Sequence, residues 1–257
     1  MNPAQRQLLI NCDDLGYHPT INEAIVEILS NGIIRSASIM PAAPHFDDAL
    51  RRLTAAGIDR VGVHLAIAGE YKALPIRPVT DPRRVPSLVR SDGCFFSDLT
   101  AVRGRLVPEQ AAEEFRGQIE RAYAAGLRVT HLDGHLFCYE PGVGGPRLLE
   151  IARAVAERYG LPMRRRVEPG HRGVWRTCMF WSAEPPEQMV QRYGEFLRSY
   201  DDPIAELIIH PGTDVAQMAA FSAAGERRRT DYLFFRSADF AEMVRARAIR
   251  VITWAEV

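Results

Sequence analysis

Two carboxylates stand side by side at Asp13 and Asp14, where residues 8–16 read LLINCDDLG. Aspartate is rarely buried without a partner, so a core strand that ends in two of them calls for positive charge nearby. A divalent cation would supply it and would offset the repulsion between neighbouring anions. Adjacent strand residues point to opposite sides, so one aspartate can bind a cation while the other works on a proton. Further residues of metal-ligating type follow: His64 in VGVHLAI, His131, Asp133 and His135 in THLDGH, and His210 in IIHPG. Residues 131, 133 and 135 share one face of a strand. Singly, each has a plainer reading. A DD pair can cap a helix, His64 can be a satisfied core histidine, HLDGH can be a polar turn, and His210 can mark the end of a strand. Together they resist that reading, because all fall at the same end of their strands. His18, His45 and His171 fit helix starts or a turn.

Positioning these residues takes a repeating scaffold. Short apolar runs predict strands at 7–12, 34–40, 60–67, 127–135, 161–167, 173–181, 205–211 and 249–254. Apolar spacing of helical period predicts helices at 20–31, 46–56, 108–125, 145–159, 186–200 and 237–247. Pro108 suits a first helical turn, and Gly32, Gly57 and Gly126 suit the ends of helices. Alternation of this kind implies a parallel sheet. About 250 residues is the usual size of one α/β barrel, and the chain has 257. We therefore expect a single-domain (β/α) barrel, TIM-like, seven-stranded or irregular, over residues 1–257. An open doubly wound sheet is the alternative, but no GxGxxG follows the first strand. Residues 68–107 break the alternation, are proline-rich, and read as an inserted substrate loop in which VPSLV and CFF pack as short local elements. In such barrels function gathers at the C-terminal ends of the strands, where the histidines and aspartates fall.

Composition removes several function classes. Lys plus Arg and Asp plus Glu both number 32, so the formal charge is zero, which argues against a nucleic-acid partner. Cys12, Cys94, Cys138 and Cys178 form no CxxC pair, which fits a reduced, cytoplasmic protein with cysteines as small apolar groups. The N-terminus carries no signal-like segment, and no run is long enough to span a bilayer. A homodimer is compatible with the sequence.

The stretches LLINCDDLGYHPTINEAI, GIIRSASIMPAAPHFDDA, VGVHLAI, THLDGH, ELIIHPG, RRTDYLFF and IRVITWAEV together resemble the YdjC-like (ChbG) carbohydrate deacetylase family. They span nearly the whole chain, in that family's order. The resemblance implies a barrel of the polysaccharide-deacetylase type. It also implies one divalent metal ion, zinc or magnesium, and removal of acetyl from an N-acetylated, chitooligosaccharide-like sugar. It maps metal ligands onto Asp14, His64 and His135, a catalytic base onto Asp13 and a general acid onto His210. The family's strand motif usually continues past the histidine with more histidines, whereas here LFCYE follows and places Phe137 and Tyr139 at those positions. On the substrate side we expect Arg164, His131, Phe137 and Tyr139, with Phe95, Phe96, Trp175 and Trp181 as further candidates to stack on sugar. Arg164 is alternatively a support for Asp13. The alternatives are a different metal hydrolase on the same barrel, acting on a phosphoester or a cyclic amide, and a non-catalytic sugar-binding relative, which the altered LFCYE segment would suit.

Overall fold

Residues 6–140, 143–164, 176–179, 185–200 and 204–257 are described by the structure, a computed structural model. In chain order the elements are β1 (Gln7–Leu15), α1 (Pro19–Ser30), β2 (Ser36–Ile39), α2 (Phe46–Ala55), β3 (Arg60–Leu65), α3 (Leu99–Arg103), α4 (Pro108–Ala124), β4 (Arg128–Gly134), α5 (Pro146–Tyr159), β5 (Arg176–Cys178), α6 (Pro186–Ser199), β6 (Ile204–Ile209), α7 (Val215–Met218), α8 (Gly225–Phe235), α9 (Ala238–Ala246) and β7 (Arg250–Ile252). Short 3₁₀ turns follow β4 at His135–Phe137 and β7 at Trp254–Glu256.

The described residues group into two units, one from Met1–Asp13, Thr20–Ala37 and Arg166–Val257, the other from Asp14–Pro19 and Ser38–Arg165. In the first, β1 pairs in parallel with β6 and with β7, and β5 pairs in parallel with β6. Its β1–β6 register runs from Gln7 opposite Ile204 to Cys12 opposite Ile209. Leu9, Ile252 and Trp254 form a core cluster; Tyr193 stacks on Phe234, and Phe235 meets Tyr193 and Phe240 edge-on. In the second, β3 pairs in parallel with β2 and with β4, and a register shift falls between Val61 and Val63. Strands such as β1, buried over all but its first residue, carry the continuous apolar runs of a parallel sheet covered on both faces.

This is the expected parallel α/β architecture, with seven strands described, and among the described residues no pairing closes the strand path. The strand expected over 161–167 is represented by a single bridge, Leu132 to Met163, and residues 165–167 lie outside the described residues. So do most of 173–181, where β5 is the described part. Helix α8 was not expected, because its arginines and aromatics spread around the helix and hide the period. No helix of the described residues is long and apolar enough to cross a membrane.

The inserted segment is held by side chains of α4. Both carboxylate oxygens of buried Glu114 accept from backbone, Oε1 from Val79 and Oε2 from Thr80, at 3.0 Å each. Gln118 grips Ala66 from both sides, accepting from its N–H at 3.0 Å and donating to its carbonyl at 2.6 Å. Val89 bridges Phe95, so the VPSLV and CFF runs do form a local antiparallel contact. Ala66 lies two residues beyond His64, and Gln118 therefore fixes the exit of β3 just after a candidate ligand. Gln118→Ala leaves both backbone groups of Ala66 buried without their partner, and we expect a loss of about 3 kcal/mol. Urea unfolding should show a lower midpoint at an unchanged slope; an unchanged midpoint would show that the grip contributes nothing.

Candidate metal centre

Asp14, His64 and His135 leave the ends of three different elements, β1, β3 and β4, and each is at most 3% exposed. One donor atom from each lies within 4.8 Å of the others. Asp14 Oδ1 is the common point, 3.4 Å from His64 Nε2 and 3.3 Å from His135 Nδ1. Strict strand alternation does not produce this. Asp14 adopts φ 73°, a left-handed conformation that aspartate tolerates better than most residues. After His135 the chain turns again through Leu136 and Phe137, both at φ 53°. Such residues hold of order 1–3 kcal/mol of strain each and cluster at functional sites.

Behind the triad stands Asp133, wholly buried. Its Oδ1 lies 2.8 Å from His64 Nδ1, and its Oδ2 accepts from Ser38 Oγ at 2.7 Å and pairs with Arg164 at 3.1 Å. His131 Nε2 lies 3.5 Å from the same oxygen. Burial by itself would raise this carboxyl, but the charges of Arg164 and His64 and the hydrogen bonds from His131 and His64 outweigh it and hold the group well below the usual carboxylate range. An ionised Asp133 keeps the proton of His64 on Nδ1 and leaves Nε2 to donate its lone pair, the usual way a protein orients a metal-binding imidazole. His131 fits only because residue 62 is glycine: a Cβ there would sit 2.2 Å from the imidazole.

Two imidazoles and one carboxylate, with a carboxylate bracing one imidazole, suit a divalent transition metal and leave coordination positions open. His135 faces Asp14 through Nδ1, and its buried Nε2 has no hydrogen-bond partner among the described residues. Tyr17 packs beside the site, its ring 5.6 Å from that of His135 and 5.4 Å from that of Tyr71. Burial pushes its phenol above the ordinary range, the charges of Glu70 and Asp14 add to this, and a hydrogen bond with the Glu70 backbone opposes it.

In the other unit, Asp13 accepts from Asn11 Nδ2 at 2.8 Å, and Asn11 Oδ1 accepts from Ser36 at 2.7 Å. One step beyond the last paired residues of β1 and β6, Cys12 and Ile209, the register sets His210 beside Asp13. Asp231 of α8 accepts from the backbone N–H of His210 at 2.8 Å and from the hydroxyl of Tyr193. This anchor for His210 comes from RRTDYLFF, a stretch whose position in the fold no local signal reveals.

Three of the expected substrate-side residues are engaged inside the protein. Arg164 is 2% exposed and paired with Asp133, and His131 is fully buried against Gly62. Tyr139 is buried, and its hydroxyl donates to the carbonyls of Leu132 and Arg164. Their polar groups serve the strand ends and the ligands rather than an open surface. Phe137 is half-buried. Phe95 is buried, Phe96 stacks under Arg105, and Trp175 and Trp181 lie outside the described residues.

Desolvation raises the Asp231 carboxyl from 3.8 to about 6. The folded protein therefore binds this proton more tightly than the unfolded chain does. Its favourable effect on stability is full below about pH 4 and is lost as pH rises through 6, a difference of about 3 kcal/mol. Subtracting the unfolding free energy of Asp231→Asn from that of the unsubstituted protein should expose this fall between pH 4 and pH 7. A flat difference would place the carboxyl at its ordinary value.

The sequence profile of the YdjC-like protein family matches residues 7–246. A carbohydrate deacetylase of Brevibacillus brevis is 26% identical over 270 residues, covering 98% of this chain and 99% of the relative. One of Geobacillus stearothermophilus is 28% identical over 254 residues, covering 98% of each. Among solved structures, an Enterococcus faecalis V583 protein described as a candidate cellobiose-phosphate cleavage protein superposes with a TM-score of 0.80 at 22% identity, covering 98% of both chains. The catalytic domain of a peptidoglycan N-acetylglucosamine deacetylase from Eubacterium rectale gives 0.54 at 10% identity, over 98% of this chain and 90% of that one. These two likenesses concern the fold. With the family profile spanning all but the two ends of the sequence, the chain belongs to the YdjC-like family.

Proposed function

We propose that this protein is a metal-dependent carbohydrate deacetylase that hydrolyses the acetamido group of an N-acetylated sugar or oligosaccharide. The observation that carries this reading is the meeting of Asp14, His64 and His135 within 4.8 Å, with Asp133 bracing His64 from behind. The full-length relatives named carbohydrate deacetylases support the substrate class. The imidazole pair favours zinc, and magnesium is the alternative to be tested beside it.

An amide is a weak electrophile, and its amine is a poor leaving group. A divalent cation in such a site polarises a carbonyl and makes bound water more acidic. We assign the remaining work to the protein. Asp13, steadied by Asn11, takes the proton as water adds to the acetyl carbon. His210, held through its backbone by Asp231, gives a proton to the departing sugar nitrogen. Imidazole suits that step because its ordinary pKa lies near neutrality, about 6.5. Water adds, the C–N bond breaks, and acetate and a sugar amine leave. Arg164 and His131 support the site through Asp133, and Phe137 is the remaining candidate for contact with the sugar. Cys12, Cys94 and Cys138 are buried free thiols, in keeping with a cytoplasmic protein.

The test uses acetylated chitooligosaccharides with zinc, magnesium or manganese, read by mass spectrometry as loss of one acetyl unit. Phosphoesters serve as the counter-substrate. His64→Ala should lose both bound metal and turnover. Asp13→Asn should keep the metal and lose about 10²–10⁴ in turnover. Full activity of both variants on every sugar that the unsubstituted protein cleaves would refute these assignments.

A further inference from the structure

The paired residues of β6 end at Ile209, so the chain that follows is held by something other than the sheet. Helix α8 holds it at two points. Asp231 Oδ2 accepts from the N–H of His210 at 2.8 Å, and the carbonyl of Arg228 accepts from the N–H of Gly212 at 3.0 Å. Between them, Pro211 has no N–H to satisfy. The approach is close enough to require glycine at 212, where a Cβ would meet Met218 Sδ at 2.6 Å and Arg228 Cβ at 3.2 Å. The backbone that carries His210 is thus docked on α8, and one of these two ties is a side chain.

That side chain has a further partner. The other oxygen of Asp231, Oδ1, accepts from the hydroxyl of Tyr193 on α6. Tyr193 is buried, its ring stacked on Phe234 at 5.2 Å and edge-on to Phe235 at 4.8 Å. Burial and the charge of Asp231 push its phenol well above the ordinary range, so it stays protonated and remains a donor. We propose that Tyr193 is a positioning residue for His210: its hydroxyl fixes the Asp231 carboxylate, which in turn fixes the backbone from which the imidazole gives its proton. This rests on the deacetylase reading, in which His210 protonates the departing nitrogen, and adds to it the group that keeps the donor in place. The carboxyl is also where pH acts on the arrangement. Burial raises it to about 6, and the Tyr193 hydroxyl, the His210 N–H and the charges of Arg227 and Arg228 oppose that rise. Cys12 on β1 feels the same charge and stays a neutral thiol, pushed up first by burial and then by Asp13 and Asp231. Taking away the Tyr193 donor removes one opposing influence, so the carboxyl rises further and ionises only at higher pH.

Tyr193→Phe keeps the ring and removes the donor. It is compared with the unsubstituted protein, with Asp231→Asn and with the double variant. Each is loaded with whichever of zinc, magnesium or manganese supports turnover of an acetylated chitooligosaccharide. The readouts are kcat, KM, the pH profile of kcat/KM, metal affinity and thermal midpoint. We expect Tyr193→Phe to lower kcat about tenfold at neutral pH with KM within a few-fold, the effect of loosening a reacting group. The acid limb of the profile should move up by about one pH unit, the size of one hydrogen bond to a charged group. On the Asp231→Asn background the same change should move the limb no further, because the titrating carboxyl is gone. Metal affinity should be the same in all four proteins. A lower thermal midpoint with kcat and acid limb unmoved would overturn the proposal and leave Tyr193 a packing residue. A shift that persists on the Asp231→Asn background, or a loss of metal affinity, counts equally against it, since neither runs through Asp231 to His210. Should Tyr193→Phe not fold, Asp231→Asn decides alone: kcat and acid limb equal to those of the unsubstituted protein would end the proposal. If the unsubstituted protein cleaves no acetylated sugar with any of the three metals, the deacetylase reading falls and takes this proposal with it. If that protein is active and Tyr193→Phe matches it, only the role of Tyr193 falls.

Discussion

The buried carboxylate of Asp133 is the constraint on which the metal centre depends. An isolated anion at this depth would be protonated or would unfold its surroundings, because the loss of hydration is worth several kcal/mol. Here Ser38, His64 and Arg164 converge on its two oxygens, with His131 close by. Each comes from a different part of the chain, so the charge stays stable only when β2, β3, β4 and residue 164 are all in place. The carboxylate in turn decides which nitrogen of His64 carries hydrogen, and hence which nitrogen faces Asp14. Gly62 belongs to the same chain of cause, since the room it leaves admits the His131 ring.

The candidate ligands lie where regular structure stops. Asp14 turns into the left-handed region within the last residues of β1, and two left-handed residues follow His135. A regular strand would have sent neighbouring side chains to opposite faces. These local departures let residues from separate elements aim donor atoms at one point. The chain just beyond the third candidate ligand, His64, is held separately by the grip of Gln118 on Ala66. An ion that binds the folded form alone adds stability by mass action, so the bound protein should resist local opening of these turns more than the free one.

Much of this was legible in the sequence, for identifiable reasons. Continuous apolar runs bounded by turn residues mark buried parallel strands, and β1, β3 and β6 fall close to their expected spans. Amphipathic period and glycine stops mark α2, α4 and α5. A cluster of metal-ligating residue types was legible because they recur at strand ends, while the choice of Asp14, His64 and His135 among them came from the resemblance to the YdjC-like family. Asp133 was seen but not understood: His-Leu-Asp-Gly-His suits a turn as well as a buried brace, and only three-dimensional pairing separates the two. Asp231 was hidden for another reason. It sits in α8, where arginines and aromatics obscure the helical period, and it acts on a backbone N–H, which leaves no trace in residue types. Tyr139 looked like a sugar platform because aromatic side chains do both jobs, and its hydroxyl turned out to be bound to two carbonyls.

The segment after His135 carries Phe137 and Tyr139 where the resemblance led us to look for further histidines. Tyr139 ties the carbonyl of Leu132 on β4 to that of Arg164, and so joins the strand that carries Asp133 to the arginine that neutralises it. The ring also lies so close to residue 134 that a Cβ there would come within 2.9 Å, which makes glycine the residue that fits before His135. Tyr139 therefore acts on the candidate ligands from outside, through packing and backbone bonds, and its hydroxyl is spent on holding the strand of Asp133 against Arg164.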